Sequence, residues 1–188
     1  MHRFPVIPAL AAIALLTGCG NPNDLADATI PNVESTITLS ALTGTPIAAP
    51  SAYSVAEARA VRIDQGAAFD FAFNIDAGGR AVFLPLAVLG LGVQSGTNAG
   101  FLKVDQTFEG IESAPLNGYV TADTLPIAVG ERYVVRSRVV CAGLGLPKYG
   151  KIEITAIDPT PGARTVTFRV LTDDNCGYRG LQPDLPTN

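Results

Sequence analysis

The sequence predicts an all-β chain: a single-domain antiparallel β-sandwich with little helix. Three observations carry this. Apolar residues recur at every second position along much of the chain, the period of a strand with one buried face. Nineteen Gly and fourteen Pro punctuate those runs, as turns require. Apolar residues make up 47% of 188 residues and charged ones only 16%, enough to fill one core.

The elements follow in order. Ile37, Leu39 and Ala41 alternate with Thr36, Thr38 and Ser40. Residues 55–61 (VAEARAV) suit a short helix by propensity, and equally a strand. Phe69, Phe71, Phe73 and Ile75 alternate with Asp70, Ala72, Asn74 and Asp76, the clearest amphipathic strand. Asp76-Ala77-Gly78-Gly79 turns the chain. Residues 81–88 are apolar throughout and read as a covered strand, with Pro85 marking an edge or bend.

Residues 89–100, LGLGVQSGTNAG, raise the question of a phosphate cradle. Gly90 and Gly92 fit the dinucleotide pattern G-x-G-x-x-G, but position 95 is Ser and strand-like alternation follows instead of a helix. No Gly-Lys-Ser/Thr follows either, so the stretch reads as an inter-strand loop. Beyond it, Leu102, Val104, Gln106 and Phe108 form an alternating set. Tyr133, Val135, Ser137 and Val139 form another, with Arg132, Arg136 and Arg138 on the opposite face. In a last hairpin, Ile152, Ile154 and Ala156 face Val166, Phe168 and Val170 across the turn Asp158-Pro159-Thr160-Pro161-Gly162. Residues 177–188, broken by Gly180, Pro183 and Pro186, read as packed coil.

The N-terminus reads as a targeting segment. Met1-His2-Arg3 is a short positive start, and residues 4–16 form an apolar run shorter than the roughly 20 residues of a membrane span. Leu16-Thr17-Gly18-Cys19 resembles the bacterial lipobox. That resemblance implies a signal peptide over residues 1–18 and a diacylglyceryl thioether on Cys19. Residues 19–32 then form a tether and residues 33–188 the β domain. The partner implied is a membrane, reached through the N-terminal lipid. Gly20 in place of Asp after the cysteine points by the same resemblance to the outer membrane of the cell envelope.

Export implies an oxidising compartment, in which Cys141 and Cys176, the cysteines left after Cys19, read as a disulfide. A reactive or metal-binding thiol pair is the rival reading, but no His follows residue 2 to complete a zinc site. A net charge of −4 with no dominant basic patch argues against nucleic acid.

Catalytic constellations are sparse. Without His, neither a Ser-His-Asp nor a Cys-His site can be built. Asp70, Asp105, Glu109 and Glu112 are the candidate carboxylates for glycoside cleavage, but they are dispersed. Asp173-Asp174-Asn175 lacks a calcium-loop pattern and reads as a polar turn. Arg132, Arg136 and Arg138 offer a ligand-binding stripe for an anion, or a solvated face pairing with Glu153 or Glu131. The chain therefore reads as not an enzyme.

Several motifs in order resemble the HmuY-like haem-binding lipoproteins of Gram-negative bacteria. Phe69-Asp70-Phe71-Ala72-Phe73 resembles that family's Trp-Asp-Ile-Ala-Phe strand, and residues 93–100 its Gly/Asn-rich loop. Residues 108–115 (FEGIESAP) and 118–123 (GYVTAD) resemble its Ala-Pro…Gly-Tyr…Asp passage. Tyr133-Val134-Val135-Arg136-Ser137 and Lys148-Tyr149-Gly150-Lys151 resemble two further segments. The match covers residues 55 to 171. It implies a β domain that captures haem, held by axial His or Met. No His or Met remains after the signal, so those ligands have no counterpart here. Tyr53, Tyr119, Tyr133, Tyr149 and Tyr178 are the available alternatives. The expected function is a non-catalytic envelope binding module for haem, another porphyrin or a different hydrophobic ligand. The alternative is a structural or protein-interaction lipoprotein with no small-molecule ligand.

Overall fold

The computed structural model describes residues 25–186 apart from residue 67, residues 93–97 and residue 142. Residues 1–18, read above as a signal peptide, Cys19 and part of the glycine-rich loop lie outside the described residues. The strands are β1 (Val33–Ser40), β2 (Ala52–Ser54), β3 (Arg59–Val61), β4 (Phe71–Ile75), β5 (Ala81–Pro85), β6 (Gly100–Val104), β7 (Leu125–Pro126), β8 (Arg132–Cys141), β9 (Leu146–Asp158) and β10 (Thr165–Asp173). Sheet A has the order β1-β10-β9-β8-β6 and sheet B the order β3-β2-β4-β5-β7. Every pairing is antiparallel. Among the described residues the one helical turn is a 3-10 turn, Ile63–Gln65.

The sheets pack face to face because alternation gives each an apolar inner side. Sheet B contributes Tyr53, Phe71, Phe73 and Phe83, and sheet A contributes Phe101, Tyr133 and Phe168. Phe83 stacks on Phe101 at 5.2 Å, and Phe71 meets Phe101 edge-on at 4.8 Å. Such pairs each contribute about 0.5–1.5 kcal/mol beyond area burial.

The departures from simple alternation have local causes. A bulge between Thr167 and Phe168 shifts the register against β9, so Ala156 faces solvent and Ile157 packs on the core. A second irregularity between Arg136 and Val139 leaves Val139 exposed rather than inward. β5 ends at Pro85, and residues 86–90 turn away. β6 ends at Val104, so Gln106 and Phe108 lie in a loop that folds back over sheet A. Of residues 55–61, the first four form a turn and the last three are β3. Within the 89–100 stretch, Gly100 serves close approach. A Cβ on Gly100 would lie 2.7 Å from the Val120 carbonyl, in the bridge that pairs Phe101 with Val120.

Cys141 and Cys176 form the expected disulfide, with Cα atoms 5.8 Å apart. It ties the end of β8 to the segment after β10, closing 35 residues, and contributes about 3–4 kcal/mol by loop entropy. Residues 25–32, read above as part of a tether, lie against that same C-terminal segment. The Thr29 and Ile30 amides donate to Asn175 Oδ1, Asn175 Nδ2 donates to the Ile30 carbonyl, and Tyr178 Oη donates to the Ala26 carbonyl. Asn32 Nδ2 donates to the Gly180 and Gln182 carbonyls.

Candidate functional site

Strand β2 lies between β3 and β4, so the connection from β3 to β4 must cross β2. On the outer face of sheet B, Ala52, Val61 and Ala72 form a small buried apolar cluster, and two of them are only methyl groups. Phe69, Leu42 and Leu89 lean over them without sealing the surface. What remains open is a cleft of about 350 Å³ lined by Ile63, Gly66, Ala68, Phe69, Leu86, Leu91 and Arg138. That volume falls within the 300–1,000 Å³ range of ligand pockets. The other described clefts, at 240 Å³ and below, do not reach it.

Arg138 is the cleft's single charged side chain, and it sits on a buried partner. Asp70 is fully buried, not on a solvated strand face as its alternation suggested. Asp70 Oδ1 accepts from the Arg138 amide at 2.8 Å and from Arg138 Nη1 at 2.9 Å. Asp70 Oδ2 accepts from the amides of Val55 and Ala56. Burial pushes this carboxyl above its ordinary range, and the hydrogen bonds from Arg138, Ala56 and Val55 oppose the shift. Asp70 thus holds the guanidinium in place at the apolar wall. The remaining guanidinium donors suit a carboxylate or phosphate.

The three arginines do not form one stripe. Arg132 pairs with Glu153 at 2.9 Å across β8 and β9, the cross-strand partner named as the alternative above. Arg136 stacks on Tyr119 at 4.4 Å and donates to the carbonyls of Asn98 and Leu116. Only Arg138 reaches the cleft, because the irregularity after Arg136 sends it toward sheet B.

No family model, curated protein or solved structure matches this chain. The HmuY-like resemblance therefore rests on its motifs, and the fold places those motifs unequally. FDFAF (69–73) supplies the cleft wall through Phe69, the salt bridge through Asp70 and the core through Phe71 and Phe73. Gly150 of the Lys-Tyr-Gly-Lys motif lies where β9 is crowded by its neighbours: a Cβ there would stand 2.9 Å from the Leu171 carbonyl.

The tyrosines do not fit haem iron. Tyr53 is a core residue whose hydroxyl meets Thr172 Oγ1, and burial pushes its pKa up to about 12. Tyr133 donates to Glu131, Tyr119 to the Pro115 carbonyl and Tyr178 to the Ala26 carbonyl. Tyr149 lines a smaller cleft with Arg179, and burial raises its pKa. None of the five lines the Arg138 cleft. No group of three or more His, Cys, Asp or Glu suited to a metal exists among the described residues.

The candidate carboxylates are also separated. Glu109 pairs with Arg169 over sheet A, Asp105 and Glu112 are exposed, and Asp70 is consumed by Arg138. Asp173 is buried, with Oδ1 accepting from Asn175 and Oδ2 without a partner. Lys151 is buried, with Nζ donating to the Ile111 carbonyl and lying 4.7 Å from the Phe108 ring. The cleft-lining Ile63, Ala68, Leu86 and Leu91 carried no sequence signal beyond being apolar. The Asp between two Phe in FDFAF was the one visible clue to the buried salt bridge.

Proposed function

We propose that this chain is a lipid-anchored envelope protein whose β domain binds, without catalysis, a small amphipathic anion in the Arg138 cleft. The ligand has an apolar body and a carboxylate head. The observation that carries this reading is a mostly apolar cleft with one guanidinium held at its wall by a fully buried carboxylate. Polar groups in such sites are few and fix orientation, while apolar walls supply contact area. The lipobox-like LTGC ending at Cys19 supports the envelope location, most simply the outer membrane. Long-chain carboxylates and porphyrins with propionate groups share the required chemistry. The porphyrin source agrees with the HmuY-like resemblance, although the cleft supplies no iron ligand.

The test is a fluorescence titration of the mature protein with an environment-sensitive long-chain carboxylate, its methyl ester, and a metal-free porphyrin. A charge-assisted hydrogen bond to Arg138 gives the carboxylate an advantage of about tenfold over the ester. Ala68→Trp fills the cleft from an exposed position and removes binding. Saturable porphyrin binding without fatty-acid binding identifies the ring as the ligand. Absence of saturable binding of all three compounds overturns the reading.

A further inference from the structure

The exposed apolar side chains are unevenly placed. Ile30, Leu116, Leu144 and Leu185 are 46%, 58%, 58% and 53% exposed, and they gather where residue 25 leaves the domain. Leu116 lines a cleft with Leu25 and Leu146, and Leu144 lines the adjoining one with Ala26 and Ile30. Leu185 follows Asp184, whose backbone pairs with Asn32. Asn175, Tyr178 and Asn32 fasten residues 26–32 to this end of the sandwich, so the chain's exit is fixed in place. From Cys19 to Leu25 the chain has six peptide steps, and fully extended these span about 20 Å.

We infer that the end of the sandwich bearing Ile30, Leu116, Leu144 and Leu185 rests on the surface of the lipid bilayer that holds Cys19. The inference rests on reading Cys19 as the lipid-bearing residue. A fixed exit and a short reach keep this end near the headgroups, where exposed leucines gain by leaving water. Charge does not drive the contact. Lys148 Nζ is held by Asp174 and the Ala56 carbonyl, Arg179 donates to the Ala114 carbonyl, and Asp27 is exposed on the same segment. The attachment is therefore apolar and insensitive to salt.

The chain has no Trp, so one introduced Trp reports its own surroundings. Leu144→Trp and Leu116→Trp place it on this face. Ile47→Trp places it in the loop after β1, at the far end of the sandwich, on a side chain 72% exposed. Each lipidated full-length variant is reconstituted into phosphatidylcholine vesicles, with and without bromine on the acyl chains. Emission from Leu144→Trp and Leu116→Trp shifts to the blue and is quenched by the brominated lipid at low and high salt. Ile47→Trp is not quenched. Vesicle-bound protein with all three positions equally unquenched, or with Ile47→Trp quenched as strongly as the others, overturns the orientation alone. Protein that does not float with the vesicles overturns the lipidation of Cys19 and the orientation with it. Neither result bears on ligand binding at Arg138, which is read in solution.

Discussion

The outer face of sheet A carries Val134, Tyr149 and Leu171 and lies beneath Phe108, Ile111, Ala114 and Leu181. The outer face of sheet B carries Ala52, Val61 and Ala72 beneath Leu42, Phe69 and Leu89. Both faces are crossed by loops, yet the middle of one is sealed, with a smaller cleft at its Tyr149 end, and the other holds the larger cleft. The difference lies in side-chain size and in what closes the loop down. On sheet A the covering loop is pinned by a Ser113–Gly180 bridge, by the Lys151 hydrogen bond to Ile111, and by Arg169 and Lys151 stacked on Phe108. On sheet B two methyl groups leave room, and the charged side chain lining the cleft is Arg138. Sealed apolar surface stabilises a fold; unsealed apolar surface beside an oriented charge is available to a ligand.

Unsealing sheet A gives the largest expected effect. Phe108→Ala removes a buried ring and the partner of two cations, and lowers stability by about 3–5 kcal/mol in denaturant unfolding. A loss below about 1 kcal/mol would mean that the loop is not a true cover.

The next effect depends on pH and concerns the C-terminal segment that completes that cover. Burial pushes Asp173 up to about 6, with Asp174 adding to the rise and Asn175 and Lys148 opposing it. Its folded pKa thus exceeds the ordinary carboxyl value of 3.8, so the folded state holds the proton more tightly. The stability linked to this proton is full below the ordinary value and is lost as pH rises through about 6. Asp173→Asn cannot ionise and escapes that loss. Its stability relative to the parent therefore rises by about 1–3 kcal/mol between pH 4 and pH 7. Parallel melting curves of the two proteins across that range would contradict the assignment.

The smallest effect falls on the open face. Phe69 is only half-buried, so Phe69→Ala costs about 1 kcal/mol of stability while enlarging the cleft. Ligand affinity is expected to change more than the melting temperature does. A stability loss as large as that of Phe108→Ala would make the two faces equivalent and sink the comparison.

Much of this architecture was legible in the residues. Alternation identified the inward faces of β1, β4, β8, β9 and β10, because a strand shows its neighbours only every second side chain. The cysteine pair was legible from the even number left once Cys19 is read as the lipid-bearing residue. The site was far less so. Asp70 reads as solvent-facing by alternation, and its burial depends on Arg138, 68 residues away. Phe108 continues the alternation of β6, yet β6 ends at Val104 and Phe108 folds back over the outer face that carries Leu102 and Val104. Arg132, Arg136 and Arg138 look like one stripe, and a register shift separates the third from the others.

The sequence by itself determined that this is a β-sandwich, which face of β4 and β10 turns inward, and where its disulfide closes. Those properties follow from local periodicity and composition. The tertiary structure alone decided which outer face is sealed, which arginine reaches a cleft, and which exposed leucines share an end with the N-terminal segment. Each of these depends on bulges and loop paths that bring together residues far apart in the chain. Their energies belong to the contact and not to any one stretch of sequence.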